Sequence, residues 1–227
     1  MTIESIAKVP VIAIDGPSAS GKGAIAGRVA EALGFHYLES GALYRVLALI
    51  ALRTREAGEP GLVLAATTMP LRFQDGKVIL SEQDITEEIR SEACGNKASE
   101  VARIPAVRQA LMTRQRRFRQ PPGLVADGRD MGTIVFPDAA LKIFLTATPD
   151  VRAERRYKQL IDKGIPANLR SLSRDLAERD ERDRNRSVAP LVPAPDSQVL
   201  DSSALSIDQV VERVLGWWRE RNSGGRG

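Results

Sequence analysis

Cysteine and histidine are almost absent from this sequence of 227 residues, which contains one of each, Cys94 and His36. A single cysteine excludes an internal disulfide framework and is typical of a reducing compartment, so we expect a cytoplasmic protein. One histidine without companion ligands argues against a zinc site. The longest apolar run, 46–52, is too short to cross a membrane, and residues 1–10 have no signal-peptide core, so we expect no membrane association.

Aromatic residues and lysines are also scarce. Aromatics make up 4% of the chain, and the absence of an evident stacking platform counts against single-stranded nucleic acid as a partner. A net charge of +4 would suit nucleic acid, but the basic residues alternate with acids instead of forming a continuous stripe. Only seven of the 33 basic residues are lysine. The many arginines present planar forks that suit discrete phosphate groups.

A glycine-rich loop near the start of the chain is the strongest functional signal. The β-prone residues 11–14 lead into Asp15 and a G-x-x-x-x-G-K sequence that ends at Lys22, and 24–33 is compatible with a helix. This strand–loop–helix order is the setting that a phosphate-binding loop requires. Backbone N–H groups of the loop and the helix dipole attract anionic oxygens, and Lys22 reaches the outer phosphates. The predicted ATP-binding residues are Gly16, Pro17, Ser18, Ala19, Ser20, Gly21, Lys22, Gly23 and Ala24.

This loop departs from the general motif directly after its lysine. A Ser or Thr that helps to hold Mg²⁺ is expected there, but the residue is Gly23. A Lys-Gly pair followed by a hydroxyl residue is typical of nucleoside monophosphate kinases, which the loop resembles, yet the next residue is Ala24. One side-chain contact to phosphate is therefore missing, and we expect Ser18 or Ser20 to replace it in part.

Short apolar strands alternate with longer helical segments along the chain. This alternation predicts an α/β protein with a parallel β-sheet wrapped by helices, and ligands at the carboxyl ends of the strands. An Asp75-Gly76 hairpin signal between 71–73 and 78–80 predicts a small inserted antiparallel β subdomain. The predicted organisation is a core over 1–61, an insert over 62–102, a continuation of the core over 103–222 with a helical lid at about 155–188, and a disordered tail over 223–227.

Two polar clusters follow predicted strands. Ser40, Gly41, Tyr44 and Arg45 occupy the start of a predicted helix, with Ser40 expected as its N-cap. The second cluster is 127–130, Asp-Gly-Arg-Asp, at the end of a buried-type strand. Asp127 is placed to hold Mg²⁺ or its water shell, Arg129 to fork onto a phosphate, and Asp130 to accept from a base amine or to fix Arg129.

A third cluster alternates arginines with acids over 179–186, before a proline-rich coil. Such a run is commonly a solvated helix face paired with itself. Here its position between two helices and the coil is typical of a mobile lid, whose cations stabilise the charge that develops in phosphoryl transfer.

These segments together resemble the bacterial cytidylate kinases over nearly the whole chain, and the strings 128–132 (GRDMG) and 182–186 (RDRNR) are its most specific parts. The resemblance implies a phosphate-loop nucleoside monophosphate kinase fold and transfer of the ATP γ-phosphate to CMP or dCMP, with Mg²⁺ accompanying ATP. It further implies that Arg179 and Arg186 act with Lys22 on the phosphates, and that the insert closes over the nucleoside. We expect a monomer. The cytidylate-binding residues that it implies are Ser40, Gly41, Tyr44, Arg45, Arg108, Arg129, Asp130 and Asp183.

Three alternatives stay open at this point. The phosphate loop alone would allow a kinase for another nucleoside monophosphate or for a small alcohol. A nucleotide-dependent switch is a second alternative, because 96–99 resembles a guanine-reading Asn-Lys-x-Asp motif, although Ser99 replaces its carboxylate. The third is a basic nucleic-acid-binding protein. Activity with a panel of phosphate acceptors would distinguish all of them.

Overall fold

A computed structural model describes residues 9–54, 58–74 and 76–223. The chain divides into two compact units. One comprises the described residues up to Leu38 together with those from Phe118 onward, and the other is the described part of Glu39–Arg117. The predicted insert, 62–102, lies within the second unit, and its boundaries and those of the lid stay predictions.

Eight strands and eight helices make up the regular structure of the described residues. The strands are β1 (Val11–Asp15), β2 (His36–Glu39), β3 (Leu71–Gln74), β4 (Lys77–Leu80), β5 (Gln83–Asp84), β6 (Leu124–Gly128), β7 (Leu141–Thr146) and β8 (Gln198–Asp201). The helices are α1 (Lys22–Leu33), α2 (Ser40–Arg53), α3 (Glu59–Thr68), α4 (Glu92–Val101), α5 (Pro105–Arg116), α6 (Pro149–Ile161), α7 (Leu169–Arg184) and α8 (Ile207–Ser223). A 3₁₀ turn covers Glu88–Arg90, and a π-helical turn covers Met131–Val135.

The first unit is built on a five-stranded sheet with the order β2-β6-β1-β7-β8. Strand β1 pairs in parallel with β6 and β7, and β7 pairs in parallel with β8. All five residues of β1 and all five of β6 are buried, as expected for central strands covered on both faces. The predicted parallel sheet wrapped by helices is confirmed.

The core of the first unit joins this sheet to helices α1 and α8. Ile12 and Ile14 of β1 are fully buried with Val29 of α1 and Val214 of α8. Each such side chain contributes about 1.5–3 kcal/mol when it leaves water. This packing fixes β1 and α1, and hence the two ends of the phosphate loop that joins them.

The second unit contains helices α2 to α5 and a three-stranded antiparallel sheet, β3-β4-β5. Leu71 pairs with Leu80, and Gln74 pairs with Lys77 across a tight turn. Gly76 in this turn has a φ of 74°, as the predicted hairpin requires. Asp75, the other residue of the signal, lies outside the described residues. The predicted antiparallel subdomain is confirmed as a sheet.

Several predicted element ends differ from the structure. The N-cap of α2 is Glu39, so the prediction that Ser40 caps this helix is wrong by one residue. The sequence analysis predicts no helix over Glu59–Thr68, where Gly58 and Pro60 are residues that commonly break helices. Proline is compatible with the first helical turn, where its missing N–H would have no intrahelical partner.

The C-terminal helix α8 continues through Ser223, the first residue of the predicted tail, and 224–227 lie outside the described residues. None of the helices in the described ranges is both long and apolar enough to cross a membrane.

Candidate active site

Two glycines shape the phosphate loop between β1 and α1. A Cβ atom on Gly16 would lie 2.0 Å from the Leu145 carbonyl oxygen, so a side chain there would collide with β7. Gly21, which precedes α1, has a φ of 90°, a left-handed conformation that glycine adopts without steric cost. The loop thus leads into the N-terminus of α1, where unpaired backbone N–H groups and the helix dipole favour an anion.

Lys22 is buried at the end of this loop, with 9% of its surface exposed. Its Nζ donates a hydrogen bond to the Pro17 carbonyl oxygen at 3.0 Å. Burial, together with the charge of Arg129, lowers the pKa of Lys22 to about 7, although Asp127 and Asp183 act in the opposite direction. A phosphate in the loop would supply a countercharge, so phosphate binding and protonation of Lys22 favour each other.

Ser20 also lies fully buried in the loop, and its hydroxyl oxygen has no hydrogen-bond partner among the described residues. A buried hydroxyl without a partner costs free energy, so an acceptor oxygen of a ligand would be favoured here. Ser18 is engaged differently, because its hydroxyl accepts a hydrogen bond from Arg129 Nη2 at 2.8 Å. Of the two serines expected to compensate for Ala24, Ser20 is therefore the one whose hydroxyl has no protein partner in the described structure.

Asp127, the residue before the last one of strand β6, has a buried carboxylate beside the loop. Its Oδ2 accepts a hydrogen bond of 2.6 Å from the hydroxyl of Tyr37 on β2. The same oxygen lies 3.9 Å from the place that a Cβ atom on Gly23 would occupy. The predicted metal-holding carboxylate and the phosphate loop are thus adjacent.

Arg129 connects the phosphate loop to the C-terminal part of α7. Besides its bond to Ser18, its Nε donates to Asp183 Oδ2 at 2.8 Å. Burial alone would raise the pKa of Asp183, but the charges of Arg129 and Arg186 hold it below its ordinary value. Asp183 is therefore an anion that orients Arg129, and the guanidinium has further donors for a ligand phosphate.

Asp15 at the end of β1 is a site residue that the sequence analysis missed. Its two carboxylate oxygens accept hydrogen bonds from the backbone N–H groups of Met131 and Gly132, each at 2.8 Å. Burial raises the pKa of Asp15 to about 7, against the lowering effect of these two bonds. Asp15 thereby holds the π-helical turn that follows Asp130. Asp130 is a predicted site residue and is itself buried. The available signal was a carboxylate directly before the first loop glycine.

Helix α6 supplies two arginines that the sequence analysis also missed. Arg152 donates from Nη1 to the Ser18 carbonyl oxygen at 3.2 Å and forms an ion pair of 2.7 Å with Asp180 of α7. Arg155 donates from Nη1 to the Ser20 carbonyl oxygen at 3.2 Å. Their spacing of three residues places both arginines on one face of the helix, and this spacing can be recognised in the sequence. Their partners cannot be recognised in this way, because they are far away in sequence.

The two predicted catalytic arginines lie at or beyond α7. Arg179 is within the helix, and its charge acts on Lys22 and Asp183 by lowering the pKa of each. Arg186 follows the helix end, is buried, and donates from Nε to the Asp183 carbonyl oxygen at 3.3 Å. The structure therefore brings Arg179, Arg186, Asp183, Arg129 and Lys22 into one charged cluster of the first unit.

The remaining predicted cytidylate residues belong to the second unit. Ser40, Tyr44 and Arg108 are buried there, and the Arg108 guanidinium carbon lies 5.7 Å from the centre of the Tyr44 ring. Arg45 donates from Nη1 to the Ile89 carbonyl oxygen at 2.6 Å. A Cβ atom on Gly41 would meet no described atom within 4 Å. Four of these five residues lie within the first two turns of α2, and the fifth, Arg108, belongs to α5.

A magnesium ion that arrives with a nucleotide would fit the carboxylate of Asp127. No group of three or more His, Cys, Asp or Glu side chains in the described part of the chain is arranged to hold a metal. However, Mg²⁺ commonly uses one or two protein carboxylates and completes its shell with water and phosphate oxygens. A buried carboxylate beside the phosphate loop meets that smaller requirement.

Comparison with known proteins identifies the family of this chain. The cytidylate kinase family model matches residues 12–220. The cytidylate kinase of Bordetella bronchiseptica is 59% identical over 217 residues, which cover 95% of this chain and 97% of the relative. That of Chromobacterium violaceum is 55% identical over 219 residues, 96% and 99% of the two chains. A solved shikimate kinase from Acinetobacter baumannii, in complex with shikimate, aligns with a TM-score of 0.47 at 14% identity over 99% of each chain. The predicted resemblance is confirmed, and the chain belongs to the cytidylate kinase family.

Proposed function

We infer that this enzyme transfers the γ-phosphate of ATP to CMP or dCMP, giving ADP and CDP or dCDP, as a step of pyrimidine nucleotide metabolism. The observation that carries this inference is the position of Arg129. It bonds to Ser18 in the phosphate loop and to Asp183 in the arginine-rich helix, so one guanidinium connects the ATP side to the predicted CMP residues. Membership of the cytidylate kinase family supports the identity of the acceptor.

On the ATP side, residues 16–24 hold the nucleotide phosphates. The backbone N–H groups at the start of α1 and the protonated Lys22 neutralise the charge of the β- and γ-phosphates. Mg²⁺ would accompany ATP, and Asp127 would hold it directly or through its water shell. The metal, when bound, withdraws charge from the phosphate oxygens.

On the acceptor side, Arg129 and Asp183 position CMP together with Asp130. Ser40, Gly41, Tyr44, Arg45 and Arg108 of the second unit complete the predicted acceptor set. The Tyr44 ring already packs against the Arg108 guanidinium, which leaves the donors of that arginine in a fixed plane. A fixed fork suits the monophosphate of the acceptor better than a mobile point charge would.

The transfer step itself requires positioning and electrostatic stabilisation more than covalent chemistry. An oxygen of the CMP phosphate attacks the γ-phosphorus, a new P–O bond forms, and the bond to the β-phosphate oxygen breaks, which releases ADP. Negative charge spreads over the equatorial oxygens during this step. Arg179, Arg186 and Lys22 are the cations that stabilise it.

A coupled assay of ADP release with CMP, dCMP, UMP, AMP and a small alcohol such as shikimate tests the proposal. We expect CMP and dCMP to give the highest kcat/KM. Equal activity with AMP, or activity only with the alcohol, would identify a different kinase. ADP release that does not depend on any acceptor would instead support a nucleotide-dependent switch.

The partners of this proposed enzyme are small molecules, with no role for nucleic acid or membrane, and we propose a cytoplasmic monomer. Size-exclusion chromatography with light scattering gives the oligomeric state. Salt-dependent retention on immobilised single-stranded DNA would contradict the exclusion of nucleic acid.

A further inference from the structure

The phosphate loop lacks a side-chain hydroxyl next to its lysine, and the structure brings one from elsewhere. The two residues after Lys22 are Gly23 and Ala24, neither of which has a hydroxyl. In phosphate loops generally, the hydroxyl at the position after the lysine helps to hold the magnesium ion. In an enzyme that works with ATP and Mg²⁺, another group of the chain would therefore help to hold the metal.

The hydroxyl of Tyr37 lies next to the place that a side chain at position 23 would occupy. A Cβ atom on Gly23 would be 3.5 Å from the Tyr37 hydroxyl oxygen and 3.9 Å from Asp127 Oδ2. Tyr37 donates its hydrogen to that Oδ2 at 2.6 Å, a short bond to a charged acceptor. Its oxygen is also 3.5 Å from the Gly23 carbonyl oxygen, too far to be a strong second bond. Of these two partners of Tyr37, the carboxylate is thus the closer.

A phenol suits this position for a chemical reason. It fixes the orientation of the Asp127 carboxylate through one oxygen and leaves the negative charge of the group in place. An arginine or lysine there would neutralise that charge and compete with the metal. Hydrogen-bond partners that orient a metal-holding carboxylate commonly change metal affinity by 10- to 100-fold when they are removed.

We propose that Tyr37 is a positioning residue for the metal of this enzyme: its hydroxyl orients the Asp127 carboxylate in place of the loop hydroxyl that Gly23 and Ala24 lack. This inference rests on the proposed function, since it concerns the Mg²⁺ that accompanies ATP. As a positioning residue, Tyr37 acts through Asp127, the residue that would hold the metal.

The test is the affinity of the ADP-bound enzyme for Mn²⁺, measured by electron paramagnetic resonance as the loss of the free-ion signal. Tyr37→Phe removes one oxygen and keeps the ring. We expect it to raise the Mn²⁺ dissociation constant about 10-fold. The affinity for ADP without metal, measured by calorimetry in EDTA, should change less than about twofold. If Tyr37 served only to pack its ring against neighbouring residues, Tyr37→Phe would not weaken Mn²⁺ binding while sparing ADP binding.

Tyr157→Phe is the matched control, because Tyr157 on α6 is 37% exposed and Tyr37 is 36% exposed. We expect the control to leave both affinities unchanged. The rescue variant is Gly23→Ser in the Tyr37→Phe background. Its Cβ atom has room, and its hydroxyl can reach Asp127 Oδ2, so we expect it to restore most of the Mn²⁺ affinity.

Two results would overturn the proposal. One is an unchanged Mn²⁺ affinity in Tyr37→Phe, and the other is a loss that Gly23→Ser does not restore. Failure of the proposed function is distinguishable from both, because the wild-type enzyme would then bind no ADP in EDTA or would show no CMP-dependent ADP release.

Discussion

Ion pairs of nearly equal length have different surroundings in the two units. Arg152 and Asp180 of the first unit are 2.7 Å apart, with side chains 5% and 2% exposed. Arg72 and Glu82 of the second unit are 2.6 Å apart, with side chains 59% and 79% exposed. The buried pair also bonds to the backbone of the phosphate loop through Arg152. Burial and further partners, not the distance between charges, indicate which pairs organise a site.

Replacing the arginine of each ion pair should give the largest difference between the two units, measured as the loss in free energy of unfolding. Arg152→Met leaves Asp180 as a buried charge without its short partner and should lower the free energy of unfolding by about 3–5 kcal/mol. Arg72→Met, the matched control, should lower it by less than about 1 kcal/mol. Urea denaturation followed by tryptophan fluorescence reports on the first unit, where Trp217 and Trp218 lie in α8; circular dichroism follows both units. Equal losses for the two variants would contradict the comparison.

Lys22→Ala separates the ATP side from the acceptor residues. We expect turnover to fall by about 10²- to 10³-fold, because the variant loses the buried cation that is proposed to stabilise the transferring phosphate. The affinity for CMP should stay within about twofold, since the predicted acceptor residues lie elsewhere. Calorimetry with CMP and steady-state kinetics measure the two quantities. A loss of CMP affinity as large as the loss of turnover would place Lys22 on the acceptor side instead.

Arg186→Ala and Asp130→Ala test two different roles within the first unit, action on the transferring phosphate and binding of CMP. Arg186 is expected to act on the transferring group, so its loss should lower turnover by about 10²-fold with little change in the Michaelis constant for CMP. Asp130 lies next to the π-helical turn that Asp15 holds, and its loss should weaken CMP binding by about 1–3 kcal/mol. Kinetics with varied CMP at saturating ATP distinguish them. If Arg186→Ala raises the Michaelis constant and spares turnover, its assignment to the transition state is wrong.

The lowered pKa of Lys22 gives a smaller, pH-dependent effect. In the free enzyme Lys22 is mostly neutral above pH 7, whereas bound phosphates should restore its proton. ATP binding should therefore take up a proton above pH 7, and ATP affinity should fall by up to about tenfold per pH unit. Calorimetry at pH 8 in buffers of different ionisation enthalpy measures the uptake. Lys22→Arg, which stays charged, should lose this uptake; proton uptake unchanged in that variant would show that another group is responsible.

Local sequence signals were sufficient for much of the fold and for part of the site. The spacing of Gly16, Gly21 and Lys22 predicted the phosphate loop, and the cluster at 127–130 predicted a polar edge of the sheet. Both depend on residues that are near each other in sequence, where turn and strand preferences act.

The residues that the sequence analysis missed depend on distant contacts. Arg152 reaches Ser18 across 134 positions, and Asp15 reaches Met131 across 116. Tyr37 and Asp127 are 90 positions apart. No local pattern distinguishes such residues from ordinary members of a strand or helix, because only the folded sheet brings their partners to them. Helix α3 was missed for a different reason, the dual role of proline as breaker and first-turn residue.

Phosphorus NMR of wild-type enzyme with equimolar ATP, CMP and Mg²⁺ tests most directly whether the charged cluster around the phosphate loop passes a phosphate to CMP. The γ-phosphate signal of ATP and the CMP signal should decline together while ADP and CDP appear in equal amounts. Appearance of inorganic phosphate without CDP, or persistence of both substrates, would contradict phosphoryl transfer to CMP by this enzyme.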